Sequence, residues 1–174
     1  LIPSEKLAGM MAAAILSDTV MFKSPTCTNK DIRTAGRMAR IADISLDELG
    51  KKIFSASVEG KTAKELLFTD YKEFHIAGHD LAVAQVTCVD SANILSRKNE
   101  LLAEMSAAAQ KKEVSLLILM LTDVLLEGTH IVYVGEDDTI QQAFNAVPKD
   151  NAVFLPHVMS RKKQVIPMLS ALWG

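Results

Sequence analysis

The run Leu116-Leu117-Ile118-Leu119-Met120-Leu121, closed by Ser115 on one side and Thr122 on the other, carries no charge and no break. It falls far short of the roughly 20 apolar residues that cross a bilayer. A continuous apolar run of strand length, without alternation of polar and apolar positions, reads as a central strand buried on both faces. Such a strand belongs in a sheet with helices packed on it, and the rest of the chain must supply those elements.

The second half does so. Tyr71 to Ile76 and Leu81 to Val89 alternate with period two around Ala77-Gly78-His79-Asp80, a hairpin signal. Asp90 or Ser91 caps a long helix predicted to run through Lys111, with Ile94, Leu101, Leu102, Met105 and Ala109 on its apolar face. His130 to Val134 and Ala152 to Leu155 read as further strands, with a short helix from Thr139 to Phe144 between them. Thr62-Ala63-Lys64-Glu65 is a capping box that opens a short helix ahead of the hairpin, and an apolar helix follows Ser160 to Gln164. The expected fold class is α/β of an α+β-like kind, a mixed sheet of about five strands flanked by helices.

The first part of the chain reads as helical. Glu5 to Leu16, rich in Ala, Met and Leu behind Ser4 as N-cap, predicts a buried helix, with Gly9 permitting close packing. A second helix starts at Thr28 or Asn29 and runs through Ala42; a third starts at the capping box Ser45-Leu46-Asp47-Glu48 and ends near Phe54. Ser55-Ala56-Ser57 is the stretch freest of large apolar groups and reads as a linker, which divides the chain into 1–56 and 57–174. The chain opens at Leu1, without Met, as though cut from a longer protein.

Composition excludes several function classes. With 49% hydrophobic residues the chain has ample material for a core, and a net charge of -2 gives no global attraction for nucleic acid or an anionic membrane. Cys27 and Cys88 lack the number and spacing of a disulfide framework. The composition fits a soluble protein of the cytoplasm, and any phosphate chemistry has to come from a local cluster.

One such cluster exists. Ser160-Arg161-Lys162-Lys163-Gln164 lies where a loop becomes a buried helix, a place where backbone N–H groups and an arginine fork suit an anion. The plainer reading is a solvated basic turn. Asp18, between Ser17 and Thr19 at the end of an apolar helix, is expected to be largely buried, and a buried carboxylate is seldom left without a cation or metal. A turn Asp bonded to the Thr26 to Thr28 loop is the alternative. Lys72 is either a well-held functional cation or an edge lysine that discourages strand pairing. His75 and His79 are four apart but flank a turn, His130 and His157 read as structural, and Glu136-Asp137-Asp138 reads as a solvated helix start.

Taken together, these segments resemble one family. Leu16-Ser17-Asp18-Thr19-Val20-Met21-Phe22-Lys23-Ser24-Pro25-Thr26-Cys27-Thr28 is similar to the metal-ligand segment of the family II, manganese-dependent inorganic pyrophosphatases of the DHH phosphoesterase superfamily. Ser160 to Pro167 resembles that family's substrate-binding signature, Asp70 to Phe74 its D-x-K-E-F strand, and Ala84-Gln85-Val86 with Val89-Asp90 its next strand. The resemblance implies Asp18 as a carboxylate ligand of the catalytic metals, Mn²⁺ or Co²⁺, with Mg²⁺ accompanying substrate. It implies Lys72, Arg161 and Lys162 as pyrophosphate contacts, and no catalytic residue within this chain.

The family's H-x-D-x-D and D-H-H motifs are absent from the chain. Residues 1–56 then correspond to the tail of the DHH domain, and 57–174 to its associated C-terminal domain. On this view the chain alone turns over little or no pyrophosphate, and the parent is a homodimer through its N-terminal domain. Two departures are Thr87-Cys88, where the family commonly has Asn-Thr, and His157, where it commonly has Gly. Hydrolysis of polyphosphate or another phosphoanhydride is the nearest alternative activity, and a non-catalytic phosphate-binding module is the alternative of a different class.

Overall fold

The computed structural model describes every residue from Leu1 to Gly174 and divides the chain into two units, Leu1–Glu59 and Gly60–Gly174.

The first unit consists of α1 (Glu5–Thr19), α2 (Asn29–Ala42) and α3 (Leu46–Ala56). Each helix starts where a hydroxyl accepts an otherwise orphaned N–H: Ser4 from Leu7, Thr28 from Asp31 and Ser45 from Glu48, all at 3.3 Å. Thr28 and Asp31 complete a reciprocal capping box, the Thr28 N–H reaching the Asp31 carboxylate at 2.8 Å. Ala8, Ala12 and Met38 form the core of the unit, flanked by Ile41, Ala42, Leu46 and Leu49. α1 is not buried all round as its composition predicts: Leu7 and Met10 are 49% and 62% exposed, because the small residues Ala8 and Ala12 occupy the packed face. Nor does Gly9 mark a close approach, since a Cβ there would meet only the Ala42 Cβ at 3.8 Å.

The tripeptide Ser55-Ala56-Ser57, expected as a linker, is the last turn and cap of α3. Serine and alanine sustain a helix, and the Ser57 hydroxyl closes it by donating to the Phe54 carbonyl at 2.8 Å.

The second unit opens with α4 (Ala63–Phe68), capped by the Thr62 hydroxyl. It continues with β1 (Tyr71–Ile76), β2 (His79–Cys88), α5 (Ser91–Leu95), α6 (Lys98–Lys112), β3 (Leu116–Asp123), β4 (Gly128–Val134), α7 (Asp137–Phe144) and β5 (Ala152–Pro156). A single π-helical turn, Arg161–Val165, leads into α8 (Ile166–Trp173). The strands form one sheet in the order β1-β2-β3-β4-β5. β2 and β3 run parallel while the other neighbours are antiparallel. The parallel pair requires a crossover, which α5 and α6 provide.

The apolar run occupies the centre. All eight residues of β3 are buried, as its unbroken character requires. Leu116, Ile118 and Met120 share one face of the sheet with Leu81, Val83, Ile131 and Tyr133, against Ile140 and Phe144 of α7 and Leu169 of α8. The alternate residues Leu117, Leu119 and Leu121 face the opposite side, where α4, α5 and α6 lie on the sheet. The result is a three-layer mixed α/β unit, the expected fold class.

Two local expectations are corrected. The hairpin between β1 and β2 closes through two residues, Ala77 and Gly78, both left-handed at φ 47° and 83°. This pattern matches the twist of the strands, and β2 therefore begins at His79. The helix predicted from Asp90 to Lys111 is broken at Ser96-Arg97. There the Ser96 hydroxyl donates to the Asn93 carbonyl at 2.6 Å, and Arg97 leaves helical geometry at ψ 19° while its side chain reaches the Lys61 carbonyl at 2.9 Å.

Candidate functional site

Three elements of the second unit converge on the cationic turn, and the loop that precedes it is built first. His157 to Ser160 leaves β5 with His157 at φ 64°, a left-handed conformation that glycine adopts without strain and a histidine does not. This is the position where the resemblance has glycine. The His157 N–H donates to the Glu127 carbonyl at 2.8 Å.

Beneath the loop runs a chain of polar groups with no counterpart in the periodicity of the strands. The Gln85 amide donates to the Thr122 hydroxyl at 3.0 Å and to the Met159 carbonyl at 3.3 Å. Thr122 and Thr129 share a hydroxyl bond of 3.0 Å, and Thr129 donates to the Val158 carbonyl. Both threonines are fully buried, so these bonds satisfy groups that water does not reach. From the far side Gln164 closes the loop: its Oε1 accepts from the Met159 and Ser160 N–H groups at 2.8 and 2.9 Å, and its amide donates to the His157 carbonyl at 3.0 Å.

The loop thus held, Ser160 starts the helix. Its hydroxyl accepts from the Lys163 N–H at 3.1 Å, and its carbonyl accepts from both Gln164 and Val165, the second bond defining the π turn. Val165 is fully buried and Arg161 is 7% exposed, whereas Lys162 and Lys163 point to solvent. The π turn therefore separates neighbouring cations into one buried and two presented.

Arg161 is committed within the protein. Its Nη1 donates to the carbonyls of Asp70 and Val83 at 2.8 and 2.9 Å, and its Nη2 to the Asp70 carboxylate at 2.8 Å. Val83 lies directly across the ladder from Lys72, which is exposed on the edge strand β1. The fold consequently brings Arg161, at the start of the π turn, onto the strand pair that carries Lys72. Asp70, Gln85, Thr129 and Gln164 are the residues of this assembly that the spacing of charges did not single out. Asp70, Gln85 and Gln164 stand inside the resembling motifs, which was the available signal.

Asp18 belongs to the first unit. It sits in the last turn of α1 and is exposed, a correction to its expected burial; the group that turns inward there is Thr19, 2% exposed. Thr19 donates to the Ile15 carbonyl at 2.7 Å and accepts from the Phe22 N–H at 3.1 Å. Directly after it, Val20, Met21 and Phe22 are all left-handed, at φ 51°, 51° and 68°. Each such residue costs about 1–3 kcal/mol, most plainly the β-branched valine. No three His, Cys, Asp or Glu side chains are grouped to hold a metal ion. A lone carboxylate does not make a metal centre, so this chain does not by itself fit the metals that the resemblance implies.

Three of the histidines have side-chain partners within the unit. His75 pairs with Asp80 at 2.6 Å, and His79 stacks on Trp173 with ring centroids 4.2 Å apart. His130 packs on Phe154 at 4.7 Å, and burial pushes its pKa down, partly opposed by Asp123. It lines a groove of about 270 Å³ with Leu95, Lys98 and Phe154, residues distinct from those around Arg161. No helix is long and apolar enough to cross a membrane.

The second unit is a three-layer α/β domain on a mixed five-stranded sheet, with Lys72 exposed on its edge strand and Lys162 exposed in the π turn before its last helix. Residues 51–172 match the family model described as the DHHA2 domain, and the chain belongs to that family. It is 39% identical over 97% of its length to the manganese-dependent inorganic pyrophosphatase of Methanothrix thermoacetophila, spanning 56% of that protein. Against the cobalt-dependent inorganic pyrophosphatase of Clostridium perfringens it is also 39% identical, over 98% of this chain and 32% of the relative. In structure it is similar to the "putative family II inorganic pyrophosphatase" of Methanococcus jannaschii, with a TM-score of 0.85 and 34% identity over 99% of this chain and 57% of that one. The chain thus spans little more than half the length of these relatives, or less.

Proposed function

We propose that this chain is the C-terminal part of a metal-dependent inorganic pyrophosphatase, in which residues 57–174 supply the cations that bind pyrophosphate. The observation that carries this reading is similarity along nearly the whole chain, 39% over 97%, to proteins named for that activity. Lys72 and Lys162 act as point charges on the phosphoryl oxygens, and Arg161 contributes whatever N–H groups its internal bonds leave. Fixed cations in this position neutralise charge that develops on the departing phosphate without having to reorganise as it forms. Residues 1–56 form the tail of the preceding catalytic domain, and Asp18 contributes one carboxylate to a manganese or cobalt centre completed by the rest of the protein. Such a centre, when bound, supplies a hydroxide nucleophile at neutral pH. A homodimer formed through the preceding domain and a cytoplasmic location belong to the same reading, and sedimentation of the full-length protein tests the dimer.

The test is turnover of pyrophosphate and tripolyphosphate by the full-length protein with Mn²⁺ or Co²⁺. Pyrophosphate should be preferred. Lys72→Ala and Lys162→Ala should each raise KM by at least about tenfold, the loss of one charge-assisted bond of about 1.5–3 kcal/mol. Preference for the longer substrate, or parental kinetics in both variants, refutes the assignment. Calorimetry on Asp18→Asn should show weakened Mn²⁺ binding. The alternative of a different class is a phosphate-binding module without catalysis. Binding without turnover in the full-length protein would establish it.

A further inference from the structure

Asp70 stands one residue before β1, two before Lys72, and receives Arg161 twice, once on its carbonyl and once on its carboxylate. The same carbonyl also accepts the Gln85 N–H at 3.0 Å, so the end of the β1–β2 ladder and the guanidinium share one anchor. The third bond of Arg161 goes to Val83, the ladder partner of Lys72. The arginine side chain is 8% exposed and Asp70 46%, so the carboxylate reaches in from the rim to a group sealed behind it.

We infer that Asp70 is a positioning residue for the anion site: its carboxylate fixes the plane of the Arg161 guanidinium and thereby holds Lys162, the next residue, at a set distance from Lys72. Two carbonyls on one nitrogen leave a guanidinium able to tilt. A carboxylate on the neighbouring nitrogen removes that freedom, because the planar fork is then held along an edge. Three of the five N–H groups are used in this way. The contrary role, in which Asp70 competes with phosphate for Arg161, predicts the opposite sign and is separable by experiment. The inference rests on the pyrophosphate-binding role proposed for Lys72 and Lys162.

The experiment uses the ¹⁵N-labelled 174-residue chain, titrated with inorganic pyrophosphate and followed at the amides of Lys72 and Lys162. The parent should bind with both amides reporting one dissociation constant. Asp70→Asn, which keeps an acceptor oxygen but not its charge, should weaken binding at least fivefold as read at both amides. Asp70→Glu should recover part of the loss. Unchanged or tighter binding by Asp70→Asn, with Lys162→Ala still weakened, overturns the inference and leaves the site reading intact. No response in the parent, or parental binding by Lys72→Ala and Lys162→Ala as well, overturns both. Should Asp70→Asn fail to fold, Arg161→Lys replaces it: one ammonium cannot reproduce the planar fork, and parental binding there equally overturns the inference.

Discussion

Gln164 offers a sharp test of how the cationic turn is held. Its side chain makes three bonds to the backbone of the loop between β5 and the π turn, two as acceptor and one as donor. Gln164→Leu removes all three at nearly constant size. Each intramolecular hydrogen bond contributes a net ~0.5–1.5 kcal/mol. The two bonds from Met159 and Ser160 are partly buried and the one to His157 is exposed, where water substitutes. The expected loss is therefore about 2–3 kcal/mol, dominated by the orphaned N–H pair. Gln164→Glu keeps the acceptor for both N–H groups and gives up only the exposed donor, at a cost of about 0.5–1 kcal/mol. Trp173, the single tryptophan, lies in α8 of the same unit, so its fluorescence during urea unfolding reports this unit alone. The m-value should not change. Hydrogen exchange should show the Met159 and Ser160 amides losing protection in the leucine variant and keeping it in the glutamate variant. Equal destabilisation by the two substitutions, or less than about 0.5 kcal/mol for leucine, would refute the claim that the N–H pair is what Gln164 serves.

Two further expectations concern the scaffold. Gly9→Ala should stabilise the first unit by about 0.5–1 kcal/mol, since an added methyl meets only ordinary contact and the helix gains in propensity; a lower melting temperature would contradict it. Asp123 is 3% exposed; burial alone would raise its pKa, but bonds from Ser91, Leu126 and Leu125 outweigh that and lower it. A carboxyl with its folded pKa depressed contributes stability that is present above the unfolded value, near 3.9, and lost as pH falls through the lower folded value. Unfolding followed by acid titration should show that loss, and Asp123→Asn should flatten it; parallel pH profiles for parent and variant would count against the assignment.

How far the molecule was legible depends on how local each feature is. The central strand β3 announced itself because burial on both faces leaves no polar alternation, and the caps at Ser4, Thr28, Ser45 and Thr62 were readable because each acts within three residues of itself. The break at Ser96-Arg97 was hidden, since half of it is a bond from Arg97 back to Lys61. Around the cations the local signal ran out sooner. Arg161 meets Asp70 across 91 residues and Thr129 meets Val158 across 29, and no spacing rule carries such pairings. The charge run located the turn, but not which of its cations faces inward. The exposure of Asp18 was likewise invisible in its apolar surroundings, because the last turn of α1 places Thr19, not its neighbour, on the packed side.

The burial of every residue in β3 has a consequence for the chain while it is being made. Leu-Leu-Ile-Leu-Met-Leu, uncharged and without proline, has the character of a segment that pairs with copies of itself when left uncovered. Synthesis delivers it after β2, which can take one edge, and only the short turn at Val124 to Glu127 separates it from β4, which takes the other. The Glu113 and Asp123 charges flank the hazard as gatekeepers. Lengthening that turn would extend the interval in which a nascent chain shows this edge to its neighbours. Insertions there should therefore reduce the yield of soluble protein more than they reduce the stability of the molecules that succeed in folding.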